Sequence, residues 1–134
     1  MTTPGSALRQ LVEMADSGEL DRFCSAHSVE LMTAFGSAAH DDHAAADLDL
    51  AVALAPGADL YGLIADLVEQ LGLNEVDVVD LATADVVLKA EALTNCVPLF
   101  ESSRGIYARR QMAAVTERME TAYLRRLDLT LLGS

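Results

Sequence analysis

The run DLDLAVAL at residues 47–54 is the feature that most limits what this chain can fold into. A run this short and this apolar is typical of a β-strand that is buried on at least one face. Side chains alternate along a strand, so Asp47 and Asp49 lie side by side on one face. The apolar residues face the other way, into a core: Leu48, Leu50 and Val52. The run therefore predicts a sheet with two neighbouring carboxylates on one side.

Three other runs predict further strands: SVELMTAFG at 28–36, VDVVDL at 76–81 and VPLFES at 97–102. In the first of them, alternation places four residues on one side: Val29, Leu31, Thr33 and Phe35. The last run suits only an edge strand, because Pro98 has no N–H to donate to a neighbouring strand.

Apolar residues at helical spacing predict helices over 6–15, 19–26, 59–71, 84–94 and 103–127. Thr83 is the expected N-terminal cap of the fourth helix, with Asp85 favourably placed at its positive end. The last helix carries an apolar stripe: Ala108, Met112, Val115, Met119 and Ala122. This order of elements predicts an α/β (α+β) fold, in which a small mixed sheet is flanked by helices and a long C-terminal helix follows.

Length and composition agree with one domain over residues 1–134, since 51% of the residues are apolar. No apolar run approaches the roughly 20 residues of a membrane span, and the N-terminus lacks a signal pattern. We therefore expect a cytoplasmic protein that does not enter a membrane. Cys24 and Cys96 have no metal-type spacing, so we expect free thiols.

The formal net charge of −12 argues against binding to duplex nucleic acid, which needs a basic surface. The charge is unevenly spread: residues 1–101 hold 18 acids and 3 bases, whereas residues 102–134 hold 3 acids and 6 bases. The arginine-rich C-terminal helix has two interpretations. Either it docks on the domain and its arginines neutralise the acidic body, or it presents a surface to an acidic, RNA-like or protein partner.

The two aspartates are the candidate functional residues. Neighbouring carboxylates repel, and a divalent cation between them removes the conflict. Gly36 and Ser37 follow the preceding strand, where backbone N–H groups and a hydroxyl suit a phosphate. A third carboxylate comes from VDVVDL, either Asp77 or Asp80. The alternative is a pair of solvent-facing aspartates in a very acidic protein.

The segment HDDH at 40–43 has His40 and His43 at a spacing that suits a transition metal. No further convergent ligands appear in the sequence, which favours a surface turn over a metal site.

Together, FGSAAHDDHAAADLDLAV and VDVVDL resemble the nucleotidyltransferase superfamily of the DNA polymerase β type. That superfamily has a Gly-Ser turn, an Asp-x-Asp strand and a third carboxylate on a later strand. The small size resembles the minimal nucleotidyltransferases (MNT), in particular the antitoxins paired with HEPN-type ribonuclease toxins. The resemblance covers the core at about 28–101 best, followed by the C-terminal helix at about 103–127.

The resemblance implies a role for each matching residue. Gly36 and Ser37 would hold the nucleotide's triphosphate, and Asp47 and Asp49 would ligate Mg²⁺, with two ions in the site. Asp77, flanked by valines, would complete the metal site and activate the attacking hydroxyl. We choose it over Asp80, which has the opposite strand phase.

The chain departs from the family's usual turn, Gly-Ser-x-Ala-Arg-Gly, in having His40 for arginine and Asp41 for glycine. The resemblance implies the antitoxin of a type VII-like toxin–antitoxin pair, which transfers AMP from ATP to a tyrosine hydroxyl of its HEPN toxin. Because of the two departures, an alternative is an antitoxin with weakened or lost activity that neutralises the toxin by binding only. A small-molecule nucleotidyltransferase is a further alternative.

Overall fold

The computed structural model describes residues 2–40 and 44–133. Its helices are α1 Pro4–Ser17, α2 Glu19–Ala26, α3 Gly36–Ala39, α4 Leu60–Leu71, α5 Val86–Thr94 and α6 Ile106–Leu132. Its strands are β1 Val29–Phe35, β2 Leu48–Leu54, β3 Val76–Asp80 and β4 Cys96–Glu101. The four strands lie in one sheet in the order β3-β2-β1-β4.

The sheet is mixed, as predicted. β1 pairs antiparallel with both β2 and β4, whereas β2 pairs parallel with β3. The parallel pair requires a crossover, which α4 provides. β4 is an edge strand, and its Pro98 lies opposite Thr33, so the edge prediction is confirmed.

Both faces of the sheet are packed. On the first face, Leu48, Leu50 and Val52 join a core with buried residues of α1, α2 and α4, which confirms their predicted direction. On the second face, Ala51 and Ala53 pack with Leu93 of α5 and with the beginning of α6. Alternation along β2 places Asp49 on this second face, ahead of the two alanines.

The alternation predicted for β1 is wrong at its first residue. A register shift lies between Val29 and Leu31, so Val29 joins the core of the first face while Leu31 and Phe35 join that of the second. An extra residue in one strand reverses the side of the sheet on which the preceding residues lie. Whether a strand contains such a bulge depends on how it pairs with its neighbour.

The cap predicted for α5 is also wrong. Its N-cap is Asp85, whose carboxylate accepts a hydrogen bond from the backbone N–H of Leu88 at 2.8 Å. Thr83 instead donates its hydroxyl to the carbonyl oxygen of Asp80 at 3.3 Å, within the preceding turn.

The long C-terminal helix is confirmed, but it begins and ends later than predicted. The carboxylate of Glu101 accepts hydrogen bonds from the backbone N–H groups of Gly105 and Tyr107, both at 3.1 Å. Gly105 has a φ of +98°, a left-handed conformation that glycine adopts readily. These contacts delay the beginning of the helix to Ile106, and it continues to Leu132.

Both cysteines are free thiols, as predicted, and burial raises the pKa of Cys24 to about 12. Among the residues that the structure describes, no helix combines the length and the hydropathy that are needed to span a membrane.

Candidate active site

Two of the predicted carboxylates come together because β2 and β3 are parallel neighbours. Asp49 on β2 and Asp77 on β3 are direct partners in the pairing register. Side chains paired in this way project from the same face of the sheet, which is here the second face. Asp49 is half-buried and Asp77 is exposed, so the pair lies where the sheet opens to solvent.

Asp47 lies one residue before β2 begins, rather than inside the strand as predicted, and it is exposed. The charge of Asp47 nevertheless affects the carboxylate of Asp49. Burial, then the charge of Asp77 and then the charge of Asp47 raise the pKa of Asp49 above its usual value of 3.8. The three carboxylates therefore form one acidic group around Asp49.

Gly36 is next to this group for a steric reason. β1 places Phe35 opposite Asp49, and Gly36 follows with a φ of +73°. A Cβ at Gly36 would collide with the carboxylate of Asp49, because it would lie only 3.2 Å from the Cγ of Asp49. The sequence indicated the Gly-Ser turn, but it gave no sign that the missing side chain makes room for Asp49.

Ser37 is the second residue of the short helix α3 and has an exposed side chain, and its carbonyl oxygen accepts a hydrogen bond from His40 N–H at 3.1 Å. His40 is exposed at the end of α3. Asp41 and His43, the remaining residues of interest in this segment, lie outside the described residues.

Asp80 is not part of the group. At the end of β3, it pairs with Val52 and accepts a hydrogen bond from the N–H of Ala82 at 2.9 Å. Its carbonyl oxygen also accepts from the N–H groups of Thr83 and Ala84, both at 3.1 Å. Asp80 therefore holds the turn that leaves β3, three residues from Asp77.

The donor chemistry of the group suits Mg²⁺, which binds to one or two carboxylates and takes its other ligands from water and phosphate oxygens. Among residues 2–40 and 44–133, no three His, Cys, Asp or Glu side chains are arranged as a complete metal site.

A nucleotidyltransferase is the class of protein that this sheet and these carboxylates define. The family model for polymerase beta-type nucleotidyltransferases matches residues 19–105, which include both carboxylate strands and the Gly-Ser turn. The chain belongs to this family. A comparison with curated proteins finds no match.

Solved structures share the fold at low sequence identity. A chain of a toxin–antitoxin complex with AMP-PNP aligns with a TM-score of 0.69 and 20% identity, over 87% of this chain and 98% of that one. A chain of the tri-AMPylated Shewanella oneidensis HEPN toxin in complex with MNT antitoxin aligns with a TM-score of 0.63 and 19% identity, over 87% and 95%. The toxin–antitoxin complex MntA-HepT aligns equally well, with a TM-score of 0.63 and 19% identity, over 87% and 96%.

Proposed function

We propose that this chain is the MNT antitoxin of a HEPN toxin pair and that it transfers AMP from ATP to a tyrosine hydroxyl of its toxin. The observation that carries the proposal is the group formed by Asp49, Asp77 and Asp47 beside the Gly36-Ser37 turn. The structural neighbours support it, since one contains AMP-PNP and another a tri-AMPylated HEPN toxin. We also propose that residues 1–134 form a single minimal domain that acts in the cytoplasm.

Each residue of the group has a part in this reaction. Asp47 and Asp49 would hold Mg²⁺, with Asp77 completing the site, and the bound ions would neutralise charge on the phosphates. Gly36 and Ser37 would position the triphosphate through backbone N–H groups and a hydroxyl. Asp77, the most open of the paired carboxylates, would orient the acceptor hydroxyl toward the α-phosphorus and take up its proton, while pyrophosphate leaves.

His40 favours a second candidate function. It is exposed at the end of α3, where the family has an arginine. Arginine carries a fixed charge in a fork that fits phosphate, whereas histidine is only partly charged near neutral pH. The second candidate is therefore an antitoxin of this fold that neutralises its toxin by binding alone. A third candidate is transfer of AMP to a small molecule, which predicts that the toxin is neither bound nor modified.

The test is intact-mass spectrometry of the HEPN-type product of a neighbouring gene after incubation with this protein, ATP and Mg²⁺. We expect mass increases of whole AMP units on the toxin, and peptide mapping should place them on tyrosine. Asp49→Asn and Asp77→Asn should reduce the rate by about a thousandfold or more, equivalent to about 4 kcal/mol of the activation barrier.

Asp80→Asn is the matched control, because Asp80 lies on the same strand and the asparagine oxygen still accepts from Ala82 N–H. It should leave the rate within about twofold of the unaltered protein. Transfer that persists in Asp49→Asn would contradict the assignment of the site. A stable complex without any transfer would favour the antitoxin that acts by binding alone.

A further inference from the structure

The sheet has an open edge directly beside the candidate active site. β3 is an outermost strand of the sheet, and β2 is its neighbour on the inner side. Among residues 2–40 and 44–133, no strand lies on the outer side of β3. Val76 and Val78 are partly exposed, so this side of the strand is accessible. We call the outward-pointing backbone groups of β3 the β3 edge.

The hydrogen bonds to β2 decide which backbone groups of β3 point outward. Leu48 N–H donates to the carbonyl oxygen of Glu75 at 2.8 Å. Because the backbone groups of alternate residues in a strand point to the same side, those of Asp77 also face β2. The N–H and C=O groups of Val76 and Val78 therefore point away from β2, where they can pair with a further strand.

A strand added to the β3 edge would bring its own side chains next to Asp77. Asp77 projects from the second face of the sheet and is exposed. The residue of the added strand that lies opposite Asp77 would project from the same face, with its Cβ about 5 Å from that of Asp77. A tyrosine at this position would lie beside the carboxylate that orients the acceptor hydroxyl in the proposed reaction.

The charges near the β3 edge indicate the chemistry of the added strand. Glu75, Asp77 and Asp80 lie in β3 or next to it, and residues 23–88 contain neither lysine nor arginine. A segment with lysine or arginine close to its tyrosine would complement these acids. A second copy of this chain would not, because two β3 edges would bring the same acids of both copies together, and like charges on adjacent strands are destabilising.

We propose that the β3 edge binds the acceptor substrate as a fifth strand: an extended, basic segment of the toxin that carries the acceptor tyrosine pairs with Val76 and Val78. This inference rests on the proposed function for the identity of the partner. Main-chain hydrogen bonds hold the segment, as in other proteins that bind a peptide at a sheet edge. The register of the pairing places the tyrosine opposite Asp77, so the edge selects which hydroxyl of the toxin reaches the site.

Amide hydrogen exchange followed by NMR tests this pairing without any substitution. The free chain is compared with its toxin complex in Mg²⁺ and α,β-methylene-ATP, an analogue that cannot release AMP. We expect exchange of the outward N–H of Val78 to slow by about tenfold or more in the complex. The N–H of Asp77 is the internal reference, because it faces β2 already in the free chain and should change less. Equally fast exchange of Val78 N–H in the free chain and in a stable complex would overturn the proposal.

Val78→Pro tests the same hydrogen bond in the transfer reaction. Proline lacks the N–H, and an outward position of an edge strand tolerates it. We expect the KM for the toxin to rise about tenfold, while kcat and the Kd for ATP stay unchanged, because the edge contacts only the acceptor. Val78→Ala is the matched variant: it shortens the same side chain but keeps the N–H, so its KM should rise less. Equal KM values for the two variants would contradict pairing at this edge.

Glu75→Lys tests the basic character of the segment. We expect the KM for the toxin to rise severalfold at low salt and by less at high salt. Glu69→Lys is the control, because it changes the net charge equally at an exposed position on α4, and it should leave this KM unchanged. A lower KM in Glu75→Lys, or the same change in both variants, would contradict a basic segment.

The outcomes separate this inference from the proposed function. AMP transfer with an unchanged KM in Val78→Pro would overturn the docking at the β3 edge and leave the function standing. Protection of Val78 N–H by a toxin that is never modified would support the docking and contradict the enzymatic function. Protection that appears in the free chain as its concentration rises would assign the edge to a second copy and overturn the proposal. If the toxin is neither bound nor modified, both fail.

Discussion

The two faces of the sheet use the same strand differently. On the first face, β2 presents Leu48, Leu50 and Val52 to a core closed by α1, α2, α4 and the short α3. On the second face, it presents Asp49 and then two alanines, and only the alanines are covered by α5 and α6. β2 is thus buried on both faces for most of its length. The carboxylates occur only where the second helical layer stops.

The small residues on the second face also have a structural consequence. Ala51 and Ala53 allow α5 to lie close to the sheet, and the buried hydroxyl of Thr33 donates to the carbonyl oxygen of Ala92 at 2.8 Å. The first face gains its stability from large aliphatic side chains, whereas the second combines close approach with a polar contact.

Leu50→Ala should lower the free energy of unfolding by about 3 kcal/mol, because a fully buried leucine is replaced by a cavity in the first core. Urea unfolding followed by circular dichroism measures this loss. Val87→Ala, a truncation of an exposed side chain on α5, is the control and should change stability by less than about 0.5 kcal/mol. Equal losses in the two variants would mean that the first face is not the main core.

Gly36→Ala should cost about 2 kcal/mol and should also lower AMP transfer. The new Cβ meets a left-handed backbone and the carboxylate of Asp49, which must move. Gly57→Ala separates the two causes, because Gly57 has a similar φ of +82° but no heavy atom within 4 Å of the new Cβ. It should cost about 1 kcal/mol and leave transfer unchanged. If both variants transfer AMP normally, contact between Gly36 and Asp49 has no role in the site.

Thr33→Val should lower the free energy of unfolding by about 1 kcal/mol, since the carbonyl oxygen of Ala92 loses its donor in a buried position. The same urea titration measures it. Thr94→Val removes a hydroxyl that bonds within α5 at an exposed position, so its effect should be smaller. An effect of Thr33→Val below that of Thr94→Val would show that the second face does not depend on this hydrogen bond.

The sequence predicts the parts of the fold that depend on local alternation. The facing of Leu50 and the choice of Asp77 over Asp80 both follow from the period of a strand. The structure places Asp77 beside Asp49, and Asp80 at the end of β3, where it holds the following turn. The facing of Val29 could not be predicted in this way. It depends on a bulge, and therefore on how β1 pairs with a strand about twenty residues away.

The remaining differences have a similar cause. Thr83 and Asp85 are both good caps, and only the path of the turn after β3 decides between them. The beginning of α6 depends on the carboxylate of Glu101, which captures two backbone N–H groups across the turn. The short distance between Gly36 and Asp49 likewise depends on how β1 pairs with β2. The Gly-Ser motif by itself does not predict it.

Asp49→Asn should have the smallest effect on stability. Unlike the other variants, it should raise the free energy of unfolding. Burial and the carboxylates of Asp77 and Asp47 raise the pKa of Asp49 in the folded protein. The folded state therefore binds this proton more tightly than the unfolded state, and the stability that results is fully present below the unfolded pKa of about 4. It is lost as the pH rises through the pKa of the folded protein.

The unaltered protein thus carries an unfavourable charge at pH 7 that Asp49→Asn lacks. With EDTA present, we expect the variant to melt about 1–2 °C higher at pH 7, a modest gain because solvent screens these half-exposed carboxylates. Near pH 3.5 the difference should become small, since Asp49 is then protonated. A difference in Tm that is the same at both pH values would arise from something other than charge. Repulsion among the carboxylates would then not destabilise the second face of β2.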